Sequence, residues 1–219
     1  FFKSIRQPIV WTLHDMNPFM GGFHYENDAK NISAALHSLS MMEYRKKKNA
    51  LEVLDEGKLH VVTPSNWLKN RSENSEILGR FFHTCIPNGL DIEVFKLMDR
   101  LQAKESLKLP AHKPTLLFVS QEIDNHRKGF HLLKEALELF NAEEQQRFQV
   151  LVVGEGDLGL SASNVLSIGK VNGTAEMARA FNAADAFIMP SLEDNLPNVM
   201  LEATACGTPV IAFSLGGVP

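Results

Sequence analysis

Apolar residues recur along this chain in two rhythms: short unbroken runs, and longer stretches in which they return every three or four positions. The first rhythm predicts strands and the second helices. "PIVWTL" (8–13), "KLHVVTP" (58–64) and "FFHTCIPNG" (81–89) read as strands, the last closed by an Asn-Gly turn. Between them, 33–56 reads as a helix, and Ser65 is placed to cap a second helix in "NWLKNRSENSEIL". Periodicity fades over 90–114. A second series then opens, with strands at 115–120, 148–154, 164–169, 186–191 and 209–213 and helices at 130–140, 175–184 and 198–206. Such alternation predicts an α/β fold with parallel strands, in which ligands bind outside the carboxyl ends of the strands. It also divides the chain into a partial N-terminal domain (1–95), a linker (96–113) and a C-terminal domain (114–219).

Composition narrows the partners. With 22 basic against 26 acidic residues the formal charge is -4, which argues against a protein whose main work is to neutralise nucleic-acid phosphates. The two cysteines, Cys85 and Cys206, stand far apart with no Cys/His cluster, so neither a disulfide framework nor a zinc site is expected and a reducing cytoplasm fits. No apolar run approaches the roughly 18 residues that span a bilayer. The opening "FFKSIRQPIV" has neither a signal-peptide core nor an initiator Met, and the chain reads as a fragment. Arg45 to Lys48 read as a solvated helix face; a weaker expectation is that they meet an anionic membrane surface, giving peripheral association.

Two motifs carry candidate chemistry. "GEGDLG" (154–159) matches a dinucleotide fingerprint literally, but the residues after it open another strand-like run instead of a helix, so it reads as a tight turn. "SLEDNLPNVMLEATACGTPVIAF" (191–213) is richer. It places Asp194 at the mouth of a helix and Glu202 about one turn inside it, with the backbone of Asn195, Leu196, Pro197 and Asn198 between them as an anion cradle. Carboxylates facing one cleft suit sugar hydroxyls, and amides with a lysine suit phosphate oxygens. A nucleotide-sugar combines both.

This stretch resembles the Asp/Glu-x7-Glu signature of the retaining family 4 glycosyltransferases, which have the GT-B fold of two Rossmann-like domains facing a cleft and serve, among other roles, bacterial surface-polysaccharide synthesis. "PIVWTLHDMNPFMGGFHY" (8–25), "VVTPSNWL" (61–68), "IPNGLD" (86–91) and "FVSQEIDNHRKGFHLLKEAL" (118–137) are similar to further segments of that family, in the right order. The resemblance implies that Glu202 holds the nucleotide ribose, Asp194 the hydroxyls of the transferred sugar, and Lys128 the diphosphate, and that His14 sits against the donor sugar and the attacking acceptor. His14, Lys128 and Asp194 are thus the expected catalytic set. Where relatives often carry an arginine before that lysine, this chain has Gln121, and Arg127 is the candidate substitute. The implied donor is a nucleotide-sugar, the acceptor a glycan or lipid-linked molecule, and no metal or other cofactor is expected.

Two rival functions use the same residues: a non-catalytic nucleotide-sugar-binding module, and a glycoside hydrolase working with paired carboxylates. Against the family pattern, the strands and glycine-rich loop that precede "PIVWTLHD" and the elements that follow "SLGGVP" have no counterpart in the 219 residues. The chain by itself is therefore expected to bind donor poorly and to transfer little or no sugar.

Overall fold

The computed structural model describes residues 2–30, 32–160 and 162–218; Phe1 and Pro219, the outer ends of the two expected domains, lie outside the described residues. The chain divides into two compact units, Phe1–Asn88 with Glu193–Leu196 and Leu215–Pro219, and Gly89–Leu192 with Pro197–Ser214.

In the first unit, β1 (Ile9–Thr12), β2 (Leu59–Thr63) and β3 (Phe82–Cys85) form a parallel sheet in the order β1-β2-β3. The central strand is buried almost throughout, whereas edge strand β1 alternates and leaves Val10 70% exposed. Helix α1 (Ala34–Glu52) starts where the Ser33 side chain accepts from the Leu36 amide, and α2 (Asn66–Glu73) where Ser65 accepts from Leu68. Leu13, Phe19, Leu51, Leu59, Val61, Leu68, Leu78 and Phe81 make the core.

The second unit holds β4 (Thr115–Glu122), β5 (Gln149–Glu155), β6 (Val165–Ser167), β7 (Ala186–Met189) and β8 (Val210–Ala212), all parallel, in the order β6-β5-β4-β7-β8. Its helices are α3 (Arg100–Ser106), α4 (Phe130–Glu138), α5 (Ala142–Gln146), α6 (Thr174–Ala183) and α7 (Asn198–Ala205). Counted from β4, the order runs 3-2-1-4-5 and reverses between β4 and β7, which makes that point the topological switch of a doubly wound sheet. β5 is buried along its first six residues, as a strand covered on both faces must be.

Three expectations change. The stretch 96–113, expected as a linker, belongs to the second unit and contains α3, whose start is capped by Asp99 accepting from the Gln102 amide at 2.8 Å. Asp185 fixes α3 in place. Its carboxylate takes Arg100 at 2.8 Å, the buried Lys104 ammonium at 3.0 Å and the Thr115 amide at 2.8 Å. Second, α5 was not foreseen; Asn141 and Glu144 form a reciprocal capping box there. Third, residues 193–196 and 215–218, expected in the C-terminal domain, group with the first unit, 193–195 through hydrogen bonds described below.

"GEGDLG" lies at the end of β5 and leads to β6, not to a helix, so the turn reading holds. Gly154 is required there by space: a Cβ would stand 1.9 Å from the Ser120 carbonyl oxygen, at a φ of +149°.

Candidate functional site

The second unit contains a cavity of about 380 Å³ at the carboxyl ends of β4 and β5, the edge at which parallel α/β sheets take ligands. A register irregularity between Val119 and Glu122 lies at this end of β4, and Ser120 and Gln121 line the wall. Val153 and Gly154 of β5 form a second side, Lys170, Val171, Gly173 and Thr174 a third, and Val199 and Glu202 of α7 a fourth. Phe95 closes the apolar part. It is held there because the Asn182 side chain of α6 grips the chain on either side of Leu97, accepting from the Met98 amide at 2.7 Å and donating to the Lys96 carbonyl at 3.0 Å.

Glu202 is the one carboxylate lining this cavity among the described residues. It is half-buried, and burial holds its carboxyl above the usual carboxylate range. No hydrogen-bond donor to it is found among the described residues. The cavity also borders two helix starts, α6 at Gly173 and α7 at Pro197, and at neither does a capping side chain close the turn. Helix starts carry unpaired amides and the positive end of the dipole. The wall thus offers a desolvated acceptor, two electropositive helix ends and the Lys170 ammonium, which stands 3.7 Å from Glu155. Lys170 was missed by sequence reasoning, because "GKVNG" shows no spacing that sets it apart from a surface lysine.

Lys128 and Arg127 stand on a 3-10 turn, His126–Lys128, between β4 and α4. The turn is capped by Asn125, which accepts from the Arg127 amide at 3.1 Å, and it lies against the end of β7: the Leu192 amide donates to the Arg127 carbonyl at 2.8 Å. A Cβ on Gly129 would stand 1.9 Å from the Pro190 carbonyl oxygen, with φ at +76°. Neither side chain is part of the cavity wall; Gln121 is.

The acids before α7 have a different setting. The Glu193 carboxylate accepts from the Asn27 amide at 2.9 Å and the Glu26 amide at 3.4 Å. Asp194 accepts from the Tyr25 hydroxyl at 3.5 Å and from the Asn195 amide at 3.1 Å. The Asn195 side chain accepts from the Ser65 hydroxyl at 2.5 Å and donates to the His14 carbonyl at 2.9 Å. All three residues are buried within the first unit, at 7%, 7% and 3% exposure. Of the expected amide cradle over 195–198, the Asn195 amide is engaged by Asp194, and Pro197 has no amide hydrogen to give. His14 is exposed, two residues beyond β1.

Among the described residues no helix is long and apolar enough to cross a membrane, and no three His, Cys, Asp or Glu side chains gather as a metal site. The Arg45 to Lys48 run is largely engaged. Lys46 pairs with Glu43 at 2.6 Å, Lys48 pairs with Glu76, and Lys47 turns inward to the carbonyls of Asn17 at 2.6 Å and Met20 at 2.9 Å.

Residues 113–219 match the family model described as Glycosyl transferases group 1. D-inositol 3-phosphate glycosyltransferase of Arthrobacter sp. strain FB24 is 27% identical over 96% of this chain and 50% of its own length. The chain spans about half, or less, of the length of the curated relatives it matches. Among solved structures, sucrose-phosphate synthase from Thermosynechococcus elongatus is similar over 99% of this chain and 52% of that one, with a TM-score of 0.72 at 22% identity. Anabaena HepE in complex with UDP and glucose is similar over 97% and 54%, with a TM-score of 0.66 at 21% identity. These likenesses are of fold: α/β, Rossmann-like in both units, the fold of the GT-B glycosyltransferases.

Proposed function

We propose that this chain carries the donor-binding part and a portion of the acceptor side of a glycosyltransferase, which moves a sugar from a nucleotide-sugar to a glycan or lipid-linked acceptor. The observation that carries the reading is Glu202: a half-buried carboxylate with no hydrogen-bond donor among the described residues, lining the cavity at the carboxyl edge of the sheet. Such a group is completed by a ligand that brings hydroxyl donors, and a ribose brings two. The adjoining helix starts and Lys128 suit a diphosphate. As the bond between sugar and phosphate oxygen breaks, negative charge gathers on the leaving diphosphate, and fixed dipoles and an ammonium stabilise it. The acceptor hydroxyl oxygen forms the new bond to the sugar carbon, and its proton passes to the departing diphosphate oxygen.

Gln121 lines the nucleotide part in this reading, and Arg127 supplies charge beside Lys128. Membership of the retaining family 4, with Asp194 serving the transferred sugar and His14 the reacting groups, rests on the Asp194-x7-Glu202 spacing and the segments around His14. A place in polysaccharide synthesis and a cytoplasmic location rest on the same resemblance, and a metal-free reaction on the cationic groups named. The relatives' printed name makes a phosphorylated inositol a second acceptor class to include in any panel. Hydrolysis by paired carboxylates is disfavoured because Glu202 stands alone among the residues lining its cavity.

Calorimetry with UDP, ADP and GDP tests the reading. At least one should bind the folded chain, and Glu202→Ala should weaken it by about 1–3 kcal/mol through lost charge-assisted hydrogen bonds. Lys128→Ala should weaken a nucleoside diphosphate more than the nucleoside. No nucleoside diphosphate bound by a folded chain, or an unchanged affinity in Glu202→Ala, would overturn it.

A further inference from the structure

The first unit has a cavity of its own, about 570 Å³, within the range of small-molecule sites, about 300–1,000 Å³. Buried Met16 and Phe19 supply its apolar part, and Trp67 of α2 its aromatic wall. The polar groups come as a balanced set. Arg71 pairs with Glu26 at 2.8 Å, both side chains 45% exposed, and its guanidinium lies 5.8 Å from the centre of the Trp67 ring. The Asn70 side chain has no hydrogen-bond partner among the described residues, and Asn74 spends one amide hydrogen on the Asn70 carbonyl, leaving its own oxygen to accept.

We propose that this cavity binds an uncharged sugar residue. A pyranose has apolar C–H faces and hydroxyls that each donate and accept, so it matches an aromatic and thioether lining edged by a donor (Arg71), an acceptor (Glu26) and two amides that do both (Asn70, Asn74). A phosphate does not match. It would need cations, and the cavity's single cation is already neutralised by Glu26, whose carboxylate repels an anion. A hydrocarbon chain would leave the Asn70 amide and the Asn74 side-chain oxygen without partners.

The walls are built in advance. The Lys47 ammonium, reaching inward from α1, holds the carbonyls of Asn17 and Met20 and so fixes the 3-10 turn Asn17–Phe19 that presents Phe19. Asp15 secures the same loop, accepting from the Asn17 amide at 2.8 Å and bonding the His24 ring at 2.7 Å. The proposal rests on the glycosyltransferase reading only in calling this sugar part of the acceptor; the binding itself stands on the first unit alone.

Saturation-transfer NMR on the whole chain, with methyl glucoside, mannoside and galactoside against glucose 6-phosphate and inositol phosphate, tests it. At least one neutral glycoside should bind, more tightly than either phosphate. Asn70→Ala and Arg71→Gln, both at exposed helix positions, should each weaken it about fivefold, the loss of one hydrogen bond, while UDP affinity stays unchanged. The proposal falls if no neutral glycoside binds the folded chain, if the phosphates bind more tightly, or if neither variant changes binding. Glycoside binding with the expected losses in a chain that binds no nucleoside diphosphate supports it and overturns the donor reading instead.

Discussion

The two cavities differ in how far their polar groups have already found partners. In the second unit Glu202 has no hydrogen-bond donor among the described residues, and burial raises its proton affinity. In the first unit Glu26 and Arg71 neutralise each other at the cavity edge. An unbalanced site calls for a ligand that completes it; a balanced one tolerates only a ligand that leaves the balance intact. Charge bookkeeping inside each cavity therefore separates two ligand chemistries that cavity size alone would not.

The largest expected effect falls on the frame that holds the unbalanced site. Asp185→Ala leaves the buried Lys104 ammonium with only the Lys113 carbonyl, and it strips the Thr115 amide of its acceptor. A cost of about 3 kcal/mol in urea unfolding is expected, the range for breaking a buried pair. Burial alone would raise the Asp185 carboxyl, but the Thr115 amide, Lys104 and Arg100 hold it below its ordinary 3.8. Its contribution is therefore complete above 3.8 and is lost as pH falls through the depressed value, so the variant's penalty should shrink in acid. An equal penalty at neutral and acid pH would refute this.

Next comes Glu202→Gln, which tests the imbalance itself. Donor affinity should drop by about 2 kcal/mol, roughly 30-fold, while the ligand-free chain should be as stable as the parent or more so. The sign follows from the raised carboxyl: the unfolded chain loses this proton near 4.5 and the folded one later, so folding weakens as pH rises through that interval. Binding that needs the ionised carboxylate should strengthen over the same interval. A marked loss of stability in Glu202→Gln at neutral pH would show that the group serves packing.

Smaller again is Lys47→Met, which leaves the Asn17 and Met20 carbonyls without their donor. Burial lowers the proton affinity of this ammonium, so part of its hydrogen-bond gain is already offset. About 1 kcal/mol of stability should be lost, together with a weaker methyl glycoside complex. Unaltered glycoside binding would show that the turn does not shape the cavity.

Much of the frame was legible in the sequence because strand burial and helix amphipathicity leave period signals: six of the eight strands fall inside the predicted runs, β4 and β5 overrun theirs by two residues and one, and Ser65 caps α2 as expected. The short helices α3 and α5 were not legible as apolar periods, being seven and five residues long. Their visible signals were the caps, Asp99 three residues before Gln102 and Asn141 three before Glu144. Glu202 and Gln121 were legible as cavity residues. The setting of Glu193 to Asn195 was not, since their partners Asn27, Tyr25, Ser65 and His14 lie more than a hundred residues away and only the fold brings them together. The first unit's cavity was also hidden: Trp67, Asn70, Arg71 and Asn74 read as an ordinary helix face until the loop at Met16 and Phe19 is placed over it.

The smallest effect is expected at the basic run of α1, where the weaker of the two sequence expectations, contact with an anionic membrane, meets cations already engaged. Four consecutive cations would each add about 1 kcal/mol of attraction to an anionic membrane if all faced it. Glu43 neutralises Lys46, Lys47 is spent on the loop, and Glu76, held below the usual carboxylate range by Lys48 and the Tyr44 hydroxyl, neutralises Lys48. Arg45 is then the one cation of the four with no partner among the described residues. A single exposed charge is worth little at physiological salt. Sedimentation with phosphatidylserine-containing vesicles should accordingly give the same small bound fraction for the parent chain and for Arg45→Gln. Strong, salt-sensitive binding of the parent that Arg45→Gln abolishes would mean that Lys46 and Lys48 give up their carboxylate partners at the lipid surface.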